Sequence, residues 1–464
     1  MNKVFLFSFI VLGFLFAPNV FALEFYVATT TSRVTILNGP MESYLQLNID
    51  RTAESDSPDF FVFTNLTGRV DDMSGTSCSC PTAEVNFASS TGSSTIATWE
   101  GINADPPKGW ELSGNDPEVE GIRFDSVNKI TLANETSTLT IAARAETSGE
   151  NFFAENATIF VLEVPTGSFF SEKTTSDGTG ANTDYIDMLT LDINAGTAGD
   201  YIVAWGTEWW LEDDNVAAAL GVRFVDDTES TVYAHHNTSR VMGADNQEKP
   251  SSAAGVAVVH VTANVTTTLS IEADGDGTED ETYTRRATIV AMPTSEFTNV
   301  YISSSTTQEF FTGTTFVNSA VTNVTTTNAG NHLVLLGVET SNEANPNAGN
   351  FGLLSNGEEH DSYGYTSRDS DLDRYWLGSV FAGGNYPANT THILRGASDA
   401  VSVNGEAVTN RVTLVALEIP DDEEPPEGAP PEERRLLIIS LINTLAFNLK
   451  YATIKRKLEI YEIL

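Results

Sequence analysis

Two adjacent tryptophans, Trp209 and Trp210, close the stretch "NAGTAGDYIVAWGTEWW" and run into the acidic "LEDDN". An aromatic pair beside carboxylates is the equipment a β-sandwich uses to stack on a sugar ring and accept its hydroxyl hydrogen bonds. The rival reading is that the pair closes the edge of a core or covers a contact between domains. Two acidic loops offer a second chemistry. "ADGDGTEDE" carries Asp274, Asp276 and Asp280, and "RDSDLDR" carries Asp369, Asp371 and Asp373. Alternating aspartates in a flexible turn supply several of the hard oxygens that calcium needs. Neither loop completes an EF-hand pattern, and a solvated turn is the competing reading. Calcium is the one cofactor these residues suggest.

Catalytic signatures are missing. The sequence has no HExxH, no G-x-S-x-G, no phosphate-binding glycine loop and no nucleotide fingerprint. The six histidines are scattered, apart from the pair His235–His236. The expectation is a non-enzyme, and with 64 acidic residues no carboxylate pair stands out for glycoside hydrolysis. Cys78 and Cys80 are the only cysteines, and a bridge across one residue is strained. The cores, not a disulfide, must hold the domains.

The elements that would position these groups repeat along the chain. A terminal strand followed by proline occurs three times: "NATIFVLEVP" to Pro165, "RATIVAMP" to Pro293 and "NRVTLVALEIP" to Pro420, spaced by about 128 residues. Ahead of each lies another matching strand, at Asn134, Asn264 and Asn389. Earlier come "EGIRF" at Glu120, "GVRF" at Gly221 and the weaker "FGLL" at Phe351. The tryptophan-bearing strand reappears as "NAGNHLVLLGVETS" in the third copy, with Trp205 opposite Leu336 and the tryptophan pair opposite Thr340 and Ser341. A site that takes tryptophan or leucine is core. The first copy has "SPDFFVFTNLTG" instead and carries an insert around the cysteines.

A period this long is too large for a solenoid and suits tandem domains. Short runs of Val, Ile, Thr and Phe broken by Gly, Asn, Asp and Pro read as strands throughout. The expectation is an all-β chain of three antiparallel β-sandwiches at 23–166 (divergent), 167–295 and 296–420. An acidic, proline-rich linker follows at 421–435, then an apolar and basic tail at 436–464 with a short helix. The strands "AGDYIVAWGTE", "AGNHLVLLGVE", "GVRF" and the closing "RATIVAMP" or "RVTLVALEIP" resemble jelly-roll domains of the tumour-necrosis-factor/C1q type, repeated in phage fibres and bacterial surface proteins. That resemblance implies jelly rolls, trimeric association and a role in display or binding.

The ends give an address. Lys3, an apolar run from Val4 to Phe16, and Val20 and Ala22 ahead of Leu23 read as a signal peptide spanning residues 1–22. A net charge of −40 disfavours nucleic acid and anionic membranes, because it offers no basic patch to release counterions. The tail allows membrane or envelope association, or a partner-binding helix. Seven N-x-S/T sequons occur, at Asn65, Asn134, Asn156, Asn237, Asn264, Asn323 and Asn389, a number the Asn and Thr content explains by chance. The functional expectation is an exported surface or extracellular protein that binds a glycan or protein partner. The alternatives are a structural subunit of an appendage or virion-like fibre, and a polysaccharide-active enzyme.

Overall fold

A computed structural model describes residues 23–420 apart from 38, 55–56, 71–80, 91, 101–119, 146–151, 180–183, 212–219, 239–250, 275–281, 313–316, 327–328, 342–346, 357, 368–374 and 401–405. Residues 1–22, expected to be a signal peptide, the cysteine pair, and residues 421–464 lie outside the described residues. What is described is strand, with one 3-10 turn at Thr294–Glu296.

The first sandwich contains β1 (Phe25–Thr30), β2 (Val34–Ile36), β3 (Glu42–Asp50), β4 (Asp59–Val70), β5 (Pro81–Ser89), β6 (Gly92–Glu100), β7 (Glu120–Thr131), β8 (Thr136–Ala145) and β9 (Phe152–Glu163). The second contains β10 (Phe169–Lys173), β11 (Asp177–Gly178), β12 (Ile186–Ile193), β13 (Gly199–Leu211), β14 (Leu220–Asp226), β15 (Thr231–Thr238), β16 (Ser251–Val261), β17 (Thr267–Ala273) and β18 (Thr282–Pro293). The third contains β19 (Asn299–Ser305), β20 (Glu309–Thr312), β21 (Val317–Thr325), β22 (Gly330–Ser341), β23 (Asn347–Ser355), β24 (Glu358–Ser367), β25 (Tyr375–Tyr386), β26 (Thr391–Ala400) and β27 (Glu406–Glu418). Each sandwich pairs its strands in the same order. One sheet runs β1-β9-β4-β7, β10-β18-β13-β16 or β19-β27-β22-β25, and the other runs β3-β8-β5-β6, β12-β17-β14-β15 or β21-β26-β23-β24. All pairings are antiparallel, and the order is that of a jelly roll.

One expected correspondence shifts. "EGIRF" lies in β7, the counterpart of β16 and β25, whereas "GVRF" and "FGLL" lie in β14 and β23. The counterpart of those two in the first sandwich is β5, which follows the cysteine insert. The resemblance between "EGIRF" and "GVRF" is local composition, because both strands alternate apolar side chains toward a core.

Three apolar clusters fill the sandwiches themselves. A fourth lies between them. The closing strands explain why it forms. On β18, Ala287, Ile289 and Ala291 face the second sandwich's own core, and Val290 and Met292 face the shared one. On β9, Ile159 and Val161 alternate with Phe160 and Leu162 in the same way. On β27, Leu414 and Ala416 alternate with Val415 and Leu417. These runs are continuously apolar because both faces of the strand are covered.

The strand registers show that the shared core is threefold in kind. Phe61, Ile202 and Leu333 occupy one equivalent position, and Phe63, Ala204 and Leu335 the next. Val127, Val256 and Phe381 pair with the second set. All nine belong to the shared cluster. The described residues between 23 and 420 belong to one compact unit. The threefold contact that the tumour-necrosis-factor/C1q resemblance places between chains is therefore made here within one chain.

Glycines set the spacing at the seams. A Cβ on Gly206 would sit 3.1 Å from the Val127 backbone nitrogen of the first sandwich. A Cβ on Gly337 would sit 3.0 Å from the Val256 backbone nitrogen of the second. These two glycines occupy the same position in β13 and β22, so each seam brings one strand of the preceding sandwich against the bare backbone of the next. At the third seam, a Cβ on Gly383 would meet the Phe160 ring at 2.7 Å.

Candidate functional site

A buried polar cluster joins the second and third sandwiches at their seam. Glu339 on β22 is 1% exposed. Its carboxylate accepts from Arg411 Nη1 at 2.7 Å to each oxygen, and from the backbone N–H of His235, in the second sandwich, at 2.7 Å. A carboxylate this enclosed is tolerated only because a guanidinium and an amide both satisfy it. His236 follows on β15 and is buried. Its Nδ1 accepts from the backbone N–H of Leu377 on β25 at 3.3 Å, which leaves the neutral ring's proton on Nε2. Burial pushes the His236 imidazole down to about 4, so it is neutral at physiological pH.

The tryptophan pair lies beside this seam. Trp209 is 1% exposed and belongs to the second sandwich's core, meeting the His236 ring edge-on with centroids 5.2 Å apart. Trp210 is 4% exposed and stacks on Tyr283 at 5.4 Å, with the Arg285 guanidinium 5.5 Å above it. Neither ring offers a free face to a sugar, so the expected stacking site is not formed. The reason is register. Trp209 stands opposite Ser251, the first residue of β16, on one side and Thr284 of β18 on the other, so both neighbouring strands still flank it near the end of β13. Trp205 is fully buried, stacked on Phe224 at 5.3 Å, and Leu336 is buried at its counterpart position, as the comparison of copies implied.

Glu208 takes the position of Glu339 in β13 and is 2% exposed. Arg285 Nε reaches it at 2.8 Å and Arg286 Nη1 at 2.9 and 3.0 Å. Successive residues of a flat strand point to opposite faces. Here Arg286 adopts a φ of 48° at a bulge, which lets both guanidinium groups meet one carboxylate. In the first sandwich the equivalent pair is Thr67 and Asn156, so this charged arrangement belongs to two copies out of three.

The three sandwiches also meet at Asp125. Its backbone N–H donates to Ser252 Oγ at 3.0 Å, and its carboxylate accepts from the Ser379 backbone N–H at 3.3 Å. Lys129 Nζ lies 3.8 Å from the Phe170 ring centroid across the first seam.

Of the aspartates expected to bind calcium, Asp276, Asp280, Asp369, Asp371 and Asp373 lie outside the described residues. Asp274 turns inward. It accepts from the Gly221 backbone N–H at 2.7 Å and bonds Tyr185, and burial pushes its carboxyl up to about 6. The structure instead groups Asp187, Asp227 and Glu272 on the outer sheet of the second sandwich, with ligand oxygens within 4.8 Å of one another. Glu272 is already paired with Arg223, whose guanidinium lies 3.8 Å over the Tyr185 ring, and Asp227 accepts from Ser270. These commitments leave two exposed carboxylates for a hard cation. Sequence reading missed this group because its members are distant in the chain and meet only through the pairing of β12, β17 and β14. It also missed Glu208 and Glu339, although the repeated "GTE" and "GVE" carried the signal.

No protein-family model matches the chain, and no curated protein matches it. Among solved structures the chain is similar to the tandem CBM22 domain of Paenibacillus barcinonensis, with 9% identity over 58% of this chain and 94% of that one, at a TM-score of 0.16. It is similar to a triple jelly roll from the turret of an archaeal virus, with 9% identity over 85% and 90%, at 0.17. It is also similar to VP2 of the infectious bursal disease virus subviral particle, with 10% identity over 92% and 88%, at 0.20. Scores and identities at this level give no basis for transferring structure or activity, and the jelly-roll assignment rests on the strand order above. Among the described residues no helix is long and apolar enough to cross a membrane.

Proposed function

We propose that this is an exported, non-catalytic surface or structural protein whose working unit is the closed body of three jelly rolls. The observation that supports this reading is the fourth apolar core, which fixes three sandwiches in one geometry. The buried charges Glu208 and Glu339 act in the same direction, because they hold strands and seams together rather than facing an opening. Burial of Trp209 and Trp210 moves the balance from glycan stacking toward partner contact or assembly through the outer sheets. Calcium, where it contributes, acts at outer-sheet carboxylates such as Asp187 and Asp227.

External protease treatment of intact producing cells tests the reading, together with incubation of the purified protein on a polysaccharide panel. The expected result is release of a chain beginning at Leu23 from the cell exterior or medium, with no reducing sugar formed. Retention inside the cell contradicts the surface role, and sugar release contradicts the non-catalytic one.

A further inference from the structure

The seven sequons look alike in the sequence, and the fold separates six of them; the seventh, at Asn237, runs outside the described residues at Ser239. Asn65 is buried within the first sandwich's inner sheet. Asn156 is half-buried on β9, opposite Thr67 of β4. A side chain as enclosed as that of Asn65 leaves no volume for a sugar, and that of Asn156 is partly covered. Asn134, Asn264 and Asn389 are different. Each is exposed, each lies in the turn that joins β7 to β8, β16 to β17 or β25 to β26, and each stands five residues before a fully buried leucine: Leu139, Leu269 or Leu394. The hydroxyl-bearing residues that complete the sequons, Thr136, Thr266 and Thr391, are exposed as well. Asn264 and Asn389 hold φ values of 58° and 55°, a left-handed turn conformation that asparagine tolerates.

The shared core adds the second part of the argument. Val127, Val256 and Phe381 lie at equivalent register positions of β7, β16 and β25 in that core. The seam contact of Val127 with Gly206 recurs as Val256 with Gly337, as a rotation that carries each sandwich onto the next requires. The three turns therefore fall at one end of the body. We propose that Asn134, Asn264 and Asn389 are attachment sites for N-linked oligosaccharide, forming a sugar-covered end around the threefold arrangement. The proposal rests on the export reading above, since modification of this kind acts on exported chains. The donor class is a polyprenyl-phosphate-linked oligosaccharide. The asparagine Nδ2 forms a bond to the anomeric carbon, the carbon–oxygen bond to phosphate breaks, one amide proton leaves, and the lipid phosphate departs. Asn323 is also exposed, on β21, but the other sandwiches have no counterpart to it and it is not included.

Glycopeptide mass spectrometry and N-terminal sequencing of the full-length gene product, purified from its producing cells, test the proposal. The expected result is a mature N-terminus at Leu23, sugar on Asn134, Asn264 and Asn389 in most copies, and bare Asn65 and Asn156. Thr136→Ala, Thr266→Ala or Thr391→Ala removes the sugar from its own site alone, and the matching Thr→Ser change retains it. Bare asparagines at all three turns in a chain that begins at Leu23 overturn the proposal. A chain that keeps residues 1–22 overturns the export reading instead. The attachment claim is then decided by secretion of the same chain from yeast behind a yeast leader, where bare turns in the secreted protein overturn it.

Discussion

His236 is buried and Asp274 half-buried, and the pH dependence of each follows from which charge state burial penalises. The imidazole normally titrates near 6.5 and is held down to about 4. Between those values the unfolded chain binds a proton that the folded chain refuses, so this contribution to stability is lost as pH falls through the window. Asp274 works the other way. Its carboxyl keeps a proton up to about 6 in the fold and loses it near 3.8 when unfolded, so its contribution is lost as pH rises. Each shift of about two units is worth about 3 kcal/mol, and the two slopes oppose each other in the intact protein. Single substitutions expose them. The stability deficit of His236→Gln relative to the parent shrinks by about 3 kcal/mol on going from pH 7 to pH 4. The deficit of Asp274→Asn shrinks by a similar amount on going from pH 4 to pH 7. Urea titrations at the two pH values measure both. Deficits that do not change with pH would contradict these assignments.

At the scale of the element, β13 and β22 join the repeated sequence to the seams. Gly206 and Gly337 recur because the neighbouring sandwich's backbone lies where a Cβ would go. Gly337→Ala destabilises by about 1–3 kcal/mol, since the obstructing atom is backbone and cannot rotate aside. Gly206→Ala behaves alike. Gly199→Ala, on the same strand as Gly206 but with open space around it, stays within about 0.5 kcal/mol. Thermal unfolding of the three variants checks the order, and equal effects would remove the glycines' role in spacing.

Much of this level is legible in the amino-acid sequence. The strands, the repeat and the core role of Trp205 follow from alternation and from comparing the copies. The continuous apolar runs in "ATIFVL", "ATIVAM" and "TLVAL" also carry information, because a strand covered on one face alternates and these do not. What they lie against is not legible, since no local pattern tells a second face covered by a neighbouring domain from one covered by a helix. The tryptophan pair is misplaced by sequence reading for a related reason. Its burial depends on how far β16 and β18 extend alongside β13, and cross-strand register is a long-range property. The carboxylate group of Asp187, Asp227 and Glu272 is hidden in the same way.

At the scale of the whole molecule, the central claim is that one chain closes a threefold body around its own core. The surfaces that would join three separate jelly rolls are consumed within the chain, so further assembly must use outer sheets or strand edges. Exposed Val27, Phe170 and Ile302 mark equivalent positions on the edge strands β1, β10 and β19, beside Phe160, Val290 and Val415 of the shared core. Small-angle X-ray scattering on a chain spanning residues 23–420 tests the claim most directly, because it reports mass and compactness together. A compact body of this length has a radius of gyration of about 21 Å, whereas three sandwiches strung in a row give about 32 Å. A closed threefold body gives the mass of one chain and the smaller radius. The larger radius, or a mass of three chains at every concentration, would contradict it.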